Sequence, residues 1–348
     1  MDLASILGTE FPLIQAPMAG VQDHRLAVAV AAAGALGSLP GAMFAPQRLR
    51  AELAALRAHT ARPCNVNFFC HATPREDPQR QRLWAQRLAP YFAEFGLEPP
   101  QTPAAPARLP FDAAAAAVLA EFTPAVVSFH FGLPSAALLQ SVRAWGAKVL
   151  ASATTVAEAC WLEARGVDAI IAQGSEAGGH RGMFLGEDLG SQRGTLELVP
   201  RICRAVRVPV IGAGGIADAA GVAAVMRLGA AGVQVGSAYL LCPEATTSAV
   251  HRQALRSESG AVTALTNLFT GRAARGIVNR LMRELGPINA SVPDFPLAAD
   301  ALAPLRAHLE NLGRGDFSPL WAGTNTRGCR ELPAAQVTRE LVRAFADT

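Results

Sequence analysis

The sequence has few charged residues and no long apolar run. Charged residues make up 17% of its 348 residues and the formal net charge is +3, which is too small to indicate a nucleic acid or another polyanion as a partner. No apolar run reaches the roughly 18 residues that a membrane span needs. The first residues contain no basic segment before an apolar core, so we expect no signal peptide. With 51% hydrophobic residues, the chain is expected to be a compact cytoplasmic protein.

Closely spaced cysteine pairs are also absent. The six cysteines are scattered without a CxxC pair, so the spacing indicates neither a zinc site nor a disulfide framework. We expect reduced thiols, as is usual for a cytoplasmic protein.

What the sequence does contain is a regular alternation of short apolar runs and helical segments. Eight such runs, each followed by a predicted helix, are typical of a parallel TIM (β/α)8 barrel of the α/β class. An open doubly wound sheet is the alternative. The strands are predicted at residues 11–16, 35–39, 65–69, 125–129, 148–151, 167–172, 209–211 and 232–235.

Two segments fall outside this alternation. Residues 71–123 are too long for a simple crossover after the third strand, and an insertion of this size is expected to form a lid or a partner surface. Residues 260–348 follow the eighth unit and contain several helical patterns. We therefore predict a barrel domain over residues 1–259 and a C-terminal helical extension that covers the barrel mouth.

The ends of the predicted strands limit the chemistry. Active sites of such barrels lie where the strands finish, yet the only lysine, Lys148, lies at the start of its strand. Catalysis through a lysine Schiff base is therefore nearly excluded. A metal site would need several converging carboxylates or histidines, and only Glu176, His130 and His180 lie at suitable positions, so no metal is predicted.

The stretch AIIAQGSEAGGHRG (residues 169–182) is the most informative of these strand ends. A buried strand gives way to three glycines and to His180, as expected where a strand leads into a ligand-binding loop. A histidine there can exchange protons with a bound molecule near neutral pH. The alternative is a surface loop with an incidental histidine.

The last two strands both end in glycine-rich turns that precede helices. These are GAGG (residues 212–215) and the pair Gly236 and Ser237. Free amides and a helix N-terminus both favour an anion there, so a phosphate site is predicted, although tight connections also need glycine. With Asn67 and Gln173 able to hydrogen-bond a heteroaromatic ring, the pattern suggests bound flavin mononucleotide (FMN). For these two amides, capping of loop backbone is the alternative.

Six motifs that lie in order along the barrel units resemble those of class I nitronate monooxygenases, formerly called 2-nitropropane dioxygenases. They are QAPMAG (residues 15–20), NVNFFCH (65–71), SFHFG (128–132), QGSEAGGHRG (173–182), PVIGAGGIAD (209–218) and VQVGSAYLLCPEA (233–245). GRAARGIVNR (271–280) and PLWAG (319–323) extend the resemblance into the C-terminal part.

The resemblance implies an FMN enzyme that uses no nicotinamide. It would oxidise alkyl nitronates such as propionate 3-nitronate with O2 to the carbonyl compound and nitrite or nitrate. The implied catalytic residues are His180, beside the flavin, and His130, in the substrate site. The implied cofactor-binding residues are Pro17, Met18 and Gly20 beneath the ring system, Asn67 and Gln173 at its polar edge, and Gly178, Gly179, Gly212, Gly214, Gly215, Gly236 and Ser237 around the phosphate and its chain.

One departure from the family pattern concerns the substrate. Relatives place tyrosines around it, but this chain has only Tyr91 and Tyr239, with Phe269 and Trp321 in the C-terminal part. Trp321 is either a pocket wall or core of the extension. The physiological nitronate and the oligomeric state stay open, a homodimer being one option.

Other functions share parts of this pattern. NAD(P)H:quinone reductases and an enoyl-acyl-carrier-protein reductase resemble the chain through GSEAGGH and are the main alternative. A non-catalytic flavin-binding or phosphate-binding protein would keep Gly214 and Ser237 but would have no use for two histidines at the mouth.

Overall fold

The computed structural model describes residues 2–74, 77–100 and 109–346. Its main sheet has eight parallel strands, and a parallel bridge between Ile14 and Leu36 joins the first strand to the second. The sheet therefore closes on itself, and the predicted TIM barrel is confirmed. The barrel strands are β1 (Leu13–Gln15), β2 (Gly37–Leu39), β3 (Cys64–Phe69), β4 (Val126–His130), β5 (Lys148–Ala153), β6 (Ala169–Gln173), β8 (Val210–Ala213) and β9 (Gly232–Val235). Around the barrel they follow the order β1-β9-β8-β6-β5-β4-β3-β2.

Three short strands form a second sheet at the mouth of the barrel. They are β7 (Gly179–His180), β10 (Thr263–Thr266) and β11 (Ala274–Ile277), and β11 pairs antiparallel with both of the others. The C-terminal extension was predicted to be helical; it has helices, but it also contributes β10 and β11, which the sequence analysis did not predict.

Thirteen α-helices lie within the described residues. They are α1 (Leu3–Leu7), α2 (His24–Ala32), α3 (Pro46–His59), α4 (Pro78–Glu94), α5 (Ala113–Phe122), α6 (Ala136–Arg143), α7 (Val156–Glu163), α8 (Thr195–Ala205), α9 (Ala219–Arg227), α10 (Ala249–Arg256), α11 (Arg280–Glu284), α12 (Ala298–Asn311) and α13 (Ala334–Val342). The carboxylates of Asp23, Asp112 and Asp218 accept hydrogen bonds from first-turn amides of α2, α5 and α9. These caps satisfy amides that a helix cannot pair internally.

The short helix α1 closes the bottom of the barrel. Its Leu3 and Leu7 are buried together with inward side chains of the strands, such as Ile14 and Ile211. This end of the barrel is thus filled by apolar packing, and the open end lies at the carboxyl ends of the strands.

The last helix, α13, belongs to the barrel wall. It packs against α2 and α9, which is the position of the eighth helix in such a fold. The buried Tyr239, just after β9, places its hydroxyl 3.0 Å from the hydroxyl of Thr338 in α13. This final helix therefore lies at the side of the barrel, with its apolar face buried against α2 and α9.

The insertion and the extension share a second hydrophobic core. Trp84 and Phe92 of α4 are buried together with Leu305 of α12 and with Phe317. Arg280 of α11 also donates two hydrogen bonds of 2.7 Å to the carboxylate of Glu94 at the end of α4. Helix α4 is thus fixed to the extension, whereas residues 101–108 of the insertion lie outside the described residues.

Within the described ranges, no helix is both long enough and apolar enough to span a membrane.

His251 in α10 is a buried histidine outside the barrel. Its side chain is 3% exposed and its Nε2 has no hydrogen-bond partner among the described residues. Burial lowers the pKa of His251 to about 4, because a charged imidazole is poorly solvated there. The folded protein therefore holds this ring neutral at pH values where the unfolded chain would protonate it.

We expect the His251→Leu variant to lose less stability on acidification than the wild type. Between the unfolded pKa near 6.5 and the folded pKa near 4, the unfolded state binds the additional proton, so stability falls as pH falls. From pH 7 to pH 5 this histidine should cost about 2 kcal/mol of unfolding free energy. Urea unfolding at both pH values measures the difference. His59→Leu, at an exposed site, is the control, and equal pH dependence in all three proteins would contradict the prediction.

Candidate active site

A cavity opens at the carboxyl ends of the barrel strands. The space between its walls is about 1410 Å³, a figure that includes open solvent at the mouth. Most of the predicted site residues line it. These are Pro17, Met18, Asn67, His130, Gln173, Gly178, Gly179, His180, Gly214, Gly215, Gly236 and Ser237.

Two of the predicted cofactor residues do not line the cavity. Gly20 has a φ of 82° and serves the turn after β1. A Cβ on Gly212 would lie 2.3 Å from Cγ1 of Val225 in α9. Glycine at that position allows α9 to pack closely on β8, so its role is in the barrel wall.

His180 is held between the barrel and the extension. In the second sheet it pairs with Ala274 of β11, and its Nε2 lies 2.9 Å from the hydroxyl of Thr270. Thr270 is 1% exposed, so the contact is shielded from water. The extension thereby orients the imidazole.

The backbone carbonyl of His180 connects the second sheet to the barrel. It accepts hydrogen bonds from Nε2 of His130 at 3.1 Å and from Nε2 of Gln173 at 2.9 Å. The amide of Gly182 donates to Oε1 of Gln173 at 2.8 Å. Both ends of the Gln173 amide are thus engaged by the loop, which supports the alternative that this residue caps loop backbone.

His130 is a neutral side chain. A carbonyl can only accept, so Nε2 of His130 must carry the proton in its bond to His180. Burial lowers the pKa of His130 to about 4, with further lowering by the positive charges of Arg272 and Arg181. At neutral pH this histidine can therefore donate a hydrogen bond but contributes no charge.

The glycines after β6 and β8 lie where a side chain would not fit. Gly214 and Gly215 have φ values of 119° and 73°, which L side chains rarely adopt. A Cβ on Gly214 would lie 2.8 Å from the hydroxyl of Thr195, and one on Gly178 would lie 2.5 Å from the amide nitrogen of Gly323. The backbone here is close-packed, and these three glycines line the cavity.

The loop after β1 is positioned by buried amide side chains. Oε1 of Gln22 accepts from the amide of Met18 at 2.7 Å and from Nε2 of Gln15 at 2.9 Å. On β3, Nδ2 of Asn67 donates to the hydroxyl of Ser128 at 3.0 Å. Met18 and Asn67 are therefore held in place in the cavity wall.

Arg181, the residue after His180, is a fully buried cation. It donates to the carbonyls of Gly174 and Gln173 at 2.6 Å each and to Oε1 of Gln192 at 2.9 Å. Burial lowers the pKa of Arg181 to about 10, and the charge of Arg275 adds to this lowering, so it stays charged at neutral pH. Carbonyls at the end of β6 thus solvate a positive charge beneath the site, a role that the sequence did not reveal.

Glu158 in α7 fixes the loop that follows His180. Its carboxylate is 2% exposed. One oxygen accepts from the amide and hydroxyl of Thr154, and the other accepts from the amides of Phe184 and Leu185. Four donors therefore balance one buried charge.

Several residues of the site were missed at the sequence level. Gln234 lines the cavity and its Oε1 has no hydrogen-bond partner among the described residues. The sequence did offer a signal for Gln234, because it is a polar residue within the otherwise apolar strand β9. Thr270 and Glu158 carry no comparable signal, because their partners are distant in sequence.

The aromatic residues divide clearly between site and core. Tyr91 belongs to the second core and Tyr239 to the barrel wall, so neither lines the cavity. Trp321 does line it and also packs against Phe269, with ring centroids 5.6 Å apart. Within the described residues, no group of three or more histidine, cysteine, aspartate or glutamate side chains is arranged to hold a metal ion.

Comparison with known proteins gives a consistent result. The family model described as nitronate monooxygenase matches residues 2–344. The chain is 44% identical to a nitronate monooxygenase from Pseudomonas aeruginosa, covering 97% of both chains. It is 40% identical to one from Paraburkholderia phytofirmans, covering 98% of this chain and 94% of the relative.

Solved structures give the same fold. A nitroalkane oxidase from Streptomyces ansochromogenes aligns with a TM-score of 0.88 at 37% identity, covering 99% of both chains. FabK from Thermotoga maritima aligns with a TM-score of 0.72 at 24% identity, covering 99% of this chain and 96% of that one. The second likeness shows the fold alone.

We expect Glu158→Gln to destabilise the loop after His180. The amide has one acceptor oxygen, so two of the four donors would lose their partner, at a cost of about 2 kcal/mol. Urea unfolding should show this loss, and hydrogen exchange should accelerate at the amides of Phe184 and Leu185. Glu197→Gln, which changes only exposed ion pairs with Arg193 and Arg201, should change stability by less than about 0.5 kcal/mol. Unchanged exchange at the two amides would refute the proposed anchoring.

Proposed function

The chain belongs to the nitronate monooxygenase family, and we propose that it oxidises alkyl nitronates with O2 at an FMN bound in the barrel mouth. The observation that carries this proposal is the placement of His180 in the wall of the same cavity as the glycine turns after β8 and β9. Its partners would be small molecules, the nitronate and O2. We place the enzyme in the cytoplasm, which the free state of all six cysteines supports.

The residues of the cavity fit FMN. Gly214, Gly215 and Gly178 form close-packed backbone where side chains would intrude, and such glycine turns next to a helix start suit a phosphate. Ser237 adds a hydroxyl, and the unpaired Oε1 of Gln234 offers an acceptor to a donor on the ring system. Met18 and Asn67 would bound the ring. When bound, FMN accepts electrons from the substrate and returns them to O2.

The two histidines would have different roles. A nitronate is already an electron-rich anion, so its oxidation needs no prior removal of a proton. His180, oriented by Thr270, would hold the nitronate oxygens by hydrogen bonding and would act as a base only toward a neutral nitroalkane. His130, neutral because of burial, would keep the loop carrying His180 in place through its bond to the His180 carbonyl.

We expect the purified protein to be yellow with the absorbance of a bound flavin. It should consume O2 on addition of propyl-2-nitronate and should leave NADH and NADPH unoxidised in the presence of a quinone. An oxygen electrode and absorbance at the nicotinamide band measure the two activities side by side. A colourless protein that takes up no FMN would overturn the proposal, and rapid flavin reduction by NADH without oxygen would favour a reductase.

We expect His180→Asn to lower kcat/KM for nitronates by roughly 100-fold, because the shorter amide cannot reach both Thr270 and the nitronate oxygens as the imidazole does, and a misplacement of this size costs about that factor. His59→Asn, at an exposed position on α3, should leave the rate unchanged. Flavin content, read from absorbance, must match the wild type so that loss of cofactor is not mistaken for loss of chemistry. Near wild-type kcat/KM in His180→Asn would remove this residue from the mechanism.

A further inference from the structure

The wall of the cavity beside His180 is aromatic. Phe69 and Trp321 line the cavity, with ring centroids 6.3 Å and 5.5 Å from that of His180. Phe131 and Phe295 complete the ring cluster, with centroids 6.0 Å and 5.3 Å from the same imidazole. These rings carry no positive charge, and an anion desolvated against them loses favourable hydration, so this wall favours alkyl groups and disfavours anions.

Cations are missing from the cavity wall throughout the described residues. The ionisable side chains that line it are His130 and His180 alone, with no arginine or lysine. Because His130 is neutral at pH 7, a ligand in the cavity meets no fixed positive side-chain charge.

The nearest guanidinium groups are already engaged. Arg181 and Arg275 donate to backbone carbonyls of residues 173–175. Arg272 lies over the ring of Phe131 at 4.0 Å from its centroid and donates to the carbonyl of Met183. Redirecting any of them toward a ligand would leave buried carbonyls or a buried charge without a partner.

We propose that this site selects nitronates with plain alkyl chains over nitronates that carry a carboxylate, and that Trp321 is a specificity-determining residue. The inference rests on the proposed nitronate oxidation and narrows its substrate class. His180 can meet the one negative charge of the nitronate group. A second carboxylate would be desolvated against the rings of Phe69 and Trp321 with no cation to balance it.

The first test compares two nitronates of similar length on the wild-type enzyme. Butyl-1-nitronate ends in a methyl group, whereas propionate 3-nitronate ends in a carboxylate. We expect kcat/KM, measured by oxygen uptake, to be at least tenfold higher for butyl-1-nitronate. An equal or higher value for propionate 3-nitronate would overturn the inference while leaving nitronate oxidation intact. Failure to oxidise either nitronate would overturn the proposed function and the preference with it.

The second test introduces a cation at the cavity wall. Trp321→Arg should raise kcat/KM for propionate 3-nitronate relative to butyl-1-nitronate by at least tenfold. Trp321→Met, which removes the ring without adding charge, should not raise this ratio. Calorimetric titration with pentanoate gives a readout without turnover: Trp321→Arg should bind this carboxylate at least tenfold more tightly than Trp321→Met. If Trp321→Arg and Trp321→Met show the same ratio of kcat/KM for the two nitronates and the same affinity for pentanoate, charge at this position does not set the preference.

A change in folding can be separated from a change in specificity. Circular dichroism and flavin content identify a Trp321→Arg protein that does not fold, in which case Trp321→Lys, with its slimmer side chain, takes its place. The comparison of the two nitronates on the wild-type enzyme needs no variant. The proposed preference can therefore be contradicted even if neither variant folds.

Discussion

The backbone carbonyl of His180 is the point on which the site depends. It accepts hydrogen bonds from His130 at the end of β4 and from Gln173 at the end of β6. The same residue pairs through β7 with β11 of the extension. One peptide thus joins two barrel strands to the second sheet, and the imidazole it carries is fixed from both sides. Because these contacts leave the loop residue little freedom to move, its imidazole can be placed with the precision that catalysis needs.

Buried charge around this peptide is balanced by backbone dipoles and amides more than by ion pairs. Arg181 is solvated by carbonyls at the end of β6, and Glu158 by amides on both sides of the loop. Each charge therefore fixes backbone in place, and removing one would leave several polar groups unpaired. Among the described residues, the cavity wall itself carries no arginine or lysine side chain, so the charge of a bound substrate meets no fixed cation there.

The barrel was predictable because fully buried parallel strands are short apolar runs bounded by proline and glycine. The strand ends then gave His130, His180 and the glycine turns, since strand direction decides which end faces the ligand. The pairing of β7 with β11 was not predictable: Gly179 and His180 form only two residues of strand and carry no strand propensity. The sequence alone could not separate Gly212, which packs against Val225 of α9, from the glycines that line the cavity, because either kind of contact requires the absence of a side chain. Thr270 and Glu158 hydrogen-bond to residues that are distant in sequence, so no local sequence pattern predicts these contacts.

The position of α13 has a consequence for how the polypeptide acquires its shape. The wall between α2 and α9 is completed by residues 334–342, the last helix of the sequence. During synthesis one side of the barrel therefore stays uncovered until residues 334–342 have left the ribosome. Contacts of such large sequence separation form slowly, and apolar surface exposed in the meantime favours aggregation or chaperone binding. Closure of the barrel wall thus depends on a helix that is synthesised long after the strands it covers.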